Sequence, residues 1–283
     1  MDSTDNLDER TAAASRGTLW CLVVLLACGC AGPRPAAPAS LRVTYLANEG
    51  VLLEAGDTRV VIDGLHRHYK DLYATLPDPA REAFESAAPP WNGIDLLLVS
   101  HRHRDHFHPE AVGRHVRAAP GAHLIAPAQA VDEIAPELAA DGSIRPRIHA
   151  WNWQVGRSHV IRAAGLDVTL LGLSHGSGVH ADVQNVGHVF TIGGVTVLHV
   201  GDAELTADNF APFELPARGI DIALLPWWYV ASDQSRALVR AHIAPRRIVA
   251  LHIGPGEAAE VVAELRASAP EVVPFVRMLE DRL

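Results

Sequence analysis

His101, His103, Asp105 and His106 fall within the nine-residue stretch VSHRHRDHF, Val99–Phe107. Crowded imidazoles resist being protonated together, so such a cluster needs a chemical reason. Offsets of two, two and one suit metal. On a strand end and the loop after it, residues two apart face the same side. That pairs His101 with His103, while Asp105 and His106 come together as the chain turns. The spacing therefore suits two adjacent ions, with two ligands for each. Catalytic zinc takes three protein ligands and keeps a position for water. More His or Asp residues are expected, each at a strand end.

Three such residues follow. His175 comes just past the apolar run ending at Leu173, Asp202 just past the run ending at Val200, and His252 closes RRIVALH. Small residues follow each of them. The three cysteines, Cys21, Cys28 and Cys30, all lie near the N-terminus, so a metal site in the body of the chain must use nitrogen and oxygen ligands. His199 alternates with Val200 and reads as a packed residue or one that supports a ligand. His66, His68, Tyr69 and His180 sit in loops near the cluster and are candidates for binding substrate or giving a proton. Trp227, Trp228 and Tyr229 divide between pocket wall and packing.

The elements that must carry these residues are strands with helices between them. Leu41–Gly64 reads as three strands with a turn at Gly56-Asp57. A polar, proline-punctuated excursion follows, with a short helix over Pro79–Ser86. Ile94–Ser100 is a continuous apolar run, as for a strand covered on both faces. Helices are predicted over Pro109–Val116, Ala128–Ala139, Ser232–Ile243 and Glu257–Ala267. Strands are predicted over His123–Ala126, His159–Ala163, Leu166–Leu173, Ile220–Pro226 and Arg246–His252. Gly193-Gly194 joins two alternating runs as a hairpin.

The 283 residues are 48% hydrophobic and 20% charged, an ordinary globular composition. The net charge of −9 argues against nucleic acid as a partner, which needs clustered basic charge. Leu19–Ala27 is apolar but shorter than the roughly 20 residues of a membrane span. It reads as an export signal, followed by an Ala/Pro/Gly tether up to residue 40. The segment resembles a bacterial lipoprotein signal, which implies lipidation at Cys28, with Cys30 or an uncleaved anchor as alternatives. The expectation is an exported protein held at the membrane, with one folded domain over residues 41–283.

The order His-x-His-x-Asp-His, His, Asp, His resembles the metallo-β-lactamase superfamily over Leu41 to the C-terminus. VLHVGDAE, IDIALLP and RRIVALH are similar to its branch of ascorbate-6-phosphate lactonase-like and phospholipase D-like enzymes. The resemblance implies an α/β fold, the four-layer αββα sandwich, with metals at one edge between two sheets. It implies that His101, His103 and His175 hold one ion, that Asp105, His106 and His252 hold a second, and that Asp202 bridges them. Asp105 would also orient a metal-bound hydroxide, and Asp63 would steady a ligand from behind. The expected cofactor is two Zn2+ per chain, with Mn2+ or Fe as alternatives. The expected activity is hydrolysis of a small ester, lactone or phosphodiester. A di-iron redox protein and a non-catalytic metal-binding lipoprotein are the rivals. Two departures fall around the site: Asn48-Glu49-Gly50 stands where the branch often has Gly-His, and bulky Trp227-Trp228-Tyr229 where it often has small residues.

Overall fold

A computed structural model describes residues 40–138 and 142–281. The export and lipidation segment, Cys28 included, lies outside the described residues. No described helix is long and apolar enough to cross a membrane. The first half of the chain builds β1 (Arg42–Ala47), β2 (Gly50–Ala55), β3 (Thr58–Ile62), α1 (Asp78–Glu85), β4 (Leu96–Leu98), α2 (Pro109–Ala118), β5 (His123–Pro127), α3 (Ala128–Leu138) and β6 (Ile148–Trp151). The second half builds β7 (Ser158–Ala163), β8 (Leu166–Ser174), β9 (Gln184–Ile192), β10 (Val195–His199), α4 (Ala207–Phe210), β11 (Ile222–Pro226), α5 (Asp233–His242), β12 (Arg247–Leu251), α6 (Ala258–Ser268) and β13 (Val273–Pro274).

The strands form a six-stranded sheet, β1 to β6 in sequence order, and a seven-stranded sheet of order β13-β12-β11-β10-β9-β8-β7. Each sheet begins as an antiparallel meander and ends in parallel strands. Parallel neighbours need crossover connections, and these supply most of the helices. Side chains alternate as the pleat requires. Val60, Ile62, Leu96 and Leu98 face Phe190, Val197, Leu224 and Val249 in a core shared by the two sheets. Val61 and Leu97 point the other way, toward Val112, Val116 and Ile134. Ala223 and Leu225 likewise meet Val239 and Ile243, while Ala250 meets Val261 and Leu265. Helix, sheet, sheet, helix is the result, the expected αββα layering.

Two details differ from the sequence reading. The strand expected over Ile94–Ser100 pairs only at Leu96–Leu98, because Ser100 turns its backbone N–H to Asp63 (2.8 Å). Short β6 and β13 carry too few residues for a periodic signal. The glycine hairpin forms as expected. Gly193 and Gly194 both take positive φ, 58° and 82°, a conformation glycine adopts at no steric cost. The excursion between β3 and β4 is tied down by Glu85. Its fully buried carboxylate meets Arg67 and Arg114 at 2.7 Å and Arg81 at 3.0 Å.

Candidate metal centre

The C-terminal ends of β3, β4, β8, β10 and β12 all open on one edge, because these strands run the same way within their sheets. Asp63 follows β3, His101 to His106 follow β4, His175 follows β8, Asp202 follows β10 and His252 follows β12. Side chains remote in sequence therefore converge. One group is His101, His103, His175 and Asp202; a second is Asp105, His106, His252 and Asp202.

In the first group His103 Nδ1 stands 3.0 Å from His101 Nε2 and 3.2 Å from His175 Nε2. Asp202 Oδ2 lies 3.9 Å and 3.7 Å from His101 and His175. In the second group Asp105 Oδ2 is 3.5 Å from His106 Nε2 and 3.3 Å from His252 Nε2. Asp202 reaches these imidazoles too, at 3.4 Å and 3.6 Å. Ligand atoms about 2.0–2.2 Å from an ion stand roughly 3.3–3.6 Å apart in a tetrahedral shell. The second group falls within that spacing, the first straddles it at 3.0–3.9 Å, and Asp202 belongs to both. His106 Nε2, His252 Nε2 and Asp202 Oδ1 are buried without a hydrogen-bond partner, as donor atoms kept for an ion would be. The residues fit two metal ions.

The ring orientations are set from behind. Asp63, buried, accepts from the Ser100 N–H and hydroxyl and from His106 Nδ1 (2.9 Å). His106 Nε2 is thereby left for the centre. His101 Nδ1 contacts Ser100 Oγ at 3.0 Å, which frees its Nε2 in the same way. Asp63 thus has the supporting position expected of it. His199 is further out. It is buried and 3.1 Å from Glu49 Oε2, and it contacts none of the seven candidate ligands within hydrogen-bond range.

Electrostatics divides the two groups. Burial, reinforced by neighbouring His106, holds His101 well below the usual imidazole range. Burial and His175 push His103 down to about 4. At the second group burial opposes charge, but Asp202 and Asp105 outweigh it and raise His106 well above its ordinary value. His252 is pushed up to about 10 against burial by the same two carboxylates. Asp202 is lowered, because His106 and His252 outweigh its burial. The first group offers neutral imidazoles; the second is a tight array of opposite charges.

Around the centre the expected pocket residues separate. His180 is exposed, stacked 4.7 Å from the His175 ring and 5.4 Å from His103. Trp228, 37% exposed, stands edge-on to His252 at 5.0 Å. Tyr73, which sequence reasoning missed, also stands edge-on to His252, at 5.5 Å, with Tyr69 stacked on it at 6.3 Å. Leu72, Tyr73, Trp227, Trp228, Asp71 and Glu257 line a cleft of about 440 Å³ that reaches His252. Three expectations need correction. Tyr229 is not a pocket residue: it is fully buried, its hydroxyl donating to the Ala203 carbonyl and its ring edge-on to Phe210. His66 is buried in the wall, 3.4 Å from the Ala47 carbonyl, not open to substrate. His68 points to solvent beside Asp71, at 3.7 Å, and is not brought to the ligands.

Fold and ligand order together define a metallo-β-lactamase-type scaffold. The domain family described as beta-lactamase superfamily domain matches residues 58–275, and the chain belongs to that family. A metal-dependent hydrolase of Aeropyrum pernix is 28% identical over 173 residues, 59% of this chain and 63% of that protein. The chain thus spans under two thirds of that relative's length. The metallo-β-lactamase fold protein of Bacillus subtilis superposes with a TM-score of 0.57 at 13% identity, covering 86% of this chain and 100% of the other. A diiron β-hydroxylase of Streptomyces venezuelae gives 0.55 at 13% identity, covering 87% of this chain and 54% of that one. These last two are likenesses of fold.

Proposed function

We propose that the protein is a hydrolase with a dinuclear metal centre, most simply two zinc ions, acting on small neutral esters or lactones that carry an apolar group. The observation that carries this is the shared carboxylate of Asp202, which faces both ligand groups at once. Ions held by His101, His103 and His175 and by Asp105, His106 and His252, with Asp202 common to both groups, would supply Lewis acidity and an activated water. The protein's own residues do the rest. Ser100 and Asp63 fix the imidazole orientations. Tyr73 and Trp228 stand edge-on to His252 and seat the apolar group. His180, open to solvent beside His175, is placed to give a proton to the leaving group. Aromatic and aliphatic walls, with Asp71 and Glu257 at the rim, favour a neutral group over an anionic phosphodiester in the cleft.

Metal content and a matched pair of esters test this. Purified without chelator, residues 41–283 are expected to hold about two zinc per chain, and the His103→Ala variant fewer. Two irons would favour the redox rival, in keeping with the diiron relative of the same fold. No metal after reconstitution would overturn the dinuclear reading and the hydrolase reading with it. Trp228→Ala is expected to lower kcat/KM for an aryl ester by about 10-fold, the weight of one aromatic contact, while an acetyl ester is hydrolysed as before. Equal losses on both esters would remove the cleft from substrate recognition.

Export and anchoring through a lipid on Cys28 complete the reading. It is supported by the apolar run and by Leu25 and Ala27 in the places before Cys28. Full-length Cys28→Ser is expected to move from the membrane fraction to the soluble one. A variant that stays membrane-bound would assign the anchor to Cys30 or to the apolar run itself.

A further inference from the structure

Asn48-Glu49 is the tight turn between β1 and β2, with Gly50 opening β2, and it lies against every ligand that belongs to the second group alone. Asn48 Nδ2 donates to the Asp105 carbonyl at 3.0 Å and to Asp105 Oδ2 at 3.2 Å. The Asn48 carbonyl accepts from the His252 N–H at 3.1 Å. Glu49 Oε2 lies 3.9 Å from His106 Nδ1. The turn has no room to shift. Asn48 takes φ 53°, and a Cβ on Gly50 would meet the Ala47 carbonyl at 2.8 Å and the Asp63 carbonyl at 3.1 Å.

Glu49 is unusual in its own right. It is 1% exposed, and neither carboxylate oxygen has a hydrogen-bond partner. His199 Nε2 backs it at 3.1 Å, and His199 Nδ1 accepts the Gly201 N–H at 3.3 Å. A buried carboxylate is costly without an opposite charge nearby. Beyond His199, Glu49 faces the His106 ring at 3.9 Å, and that ring's other nitrogen, Nε2, belongs to the second group.

Resting on the dinuclear reading above, we propose that this turn sets the affinity of the second metal position. Asn48 acts by fixing Asp105 and the His252 backbone. Glu49 acts by its charge behind His106. Both are positioning residues, and neither touches substrate. The first position is built without them.

The test is zinc retained per chain against a graded zinc chelator. Wild type should release its ions in two steps, and the step that survives in His103→Ala marks the second position. Asn48→Gly keeps the positive φ at no steric cost and removes the amide. Glu49→Gln keeps the shape and removes the charge. Each is expected to weaken the second step by about 10–100-fold, as losses of outer partners do, with the first step unmoved. Glu49→Asp, which keeps the charge, should recover part of the loss. Both steps moving equally would mean general loosening and would overturn the proposal, as would no movement at all. A wild type that releases no ions in two steps would instead remove the dinuclear reading and this inference with it.

Discussion

Asp202→Ala is expected to empty both metal positions. Zinc per chain should fall from about two to below one, and hydrolysis should fall by more than about 100-fold, the upper range for losing an outer partner. Asp202 is the one carboxylate within 3.9 Å of His101, His175, His106 and His252. Its loss leaves the first group with imidazoles only. It also removes the leading counter-charge of His106 and His252, both raised chiefly by Asp202 once burial is overcome. Elemental analysis of the purified variant reads the result directly. Retention of two ions with intact affinity would sink the bridging role, whatever happened to turnover.

His188→Leu is expected to make the metal-free protein markedly less sensitive to acid. His188 faces the core between the sheets opposite His199, and neither ring nitrogen has a hydrogen-bond partner. Burial, then the His199 charge, pushes it down to about 3, against an opposing pull from Asp63. The sign follows from where protons bind. The unfolded chain takes up a proton near the ordinary imidazole value of 6.5 and the folded one only near 3. Stability present above pH 6.5 is therefore lost as pH falls. From pH 7.5 to pH 5 this one group costs about 2 kcal/mol. Urea unfolding of chelated wild type and variant at the two pH values measures it. Parallel pH dependences would show that His188 is not the acid-sensitive group.

The ligands were legible because each closes an apolar run. His175, Asp202 and His252 stand where hydrophobic periodicity stops, and a polar residue at a strand end has few reasons to be there. Asn48 and Glu49 occupy an equally polar turn. Nothing local distinguishes a turn that supports a metal centre from one that only reverses the chain. Tyr73 was hidden in the same way, inside a polar excursion whose path over His252 is set by Arg67, Arg81, Arg114 and Glu85. Tyr229 shows the opposite error. One residue beyond Trp228, a short helical turn swings it from the cleft into the core, where the Ala203 carbonyl takes its hydroxyl. The αββα layering was readable from alternating runs, whereas β6 and β13 depend on neighbours already in place.

Each proposed metal position takes two ligands from the loop after β4 and the others from strand ends of the opposite sheet. An ion there is therefore a removable cross-link between the two halves of the sandwich. His103 and His175 are 72 residues apart, so one coordination sphere closes a long loop at little entropic penalty beyond that of a shorter one. Separating the halves then requires breaking coordinate bonds first. The lifetime of the folded protein in a chelating medium becomes a matter of ion escape, and a chain that has taken up its ions is one whose halves have already docked correctly.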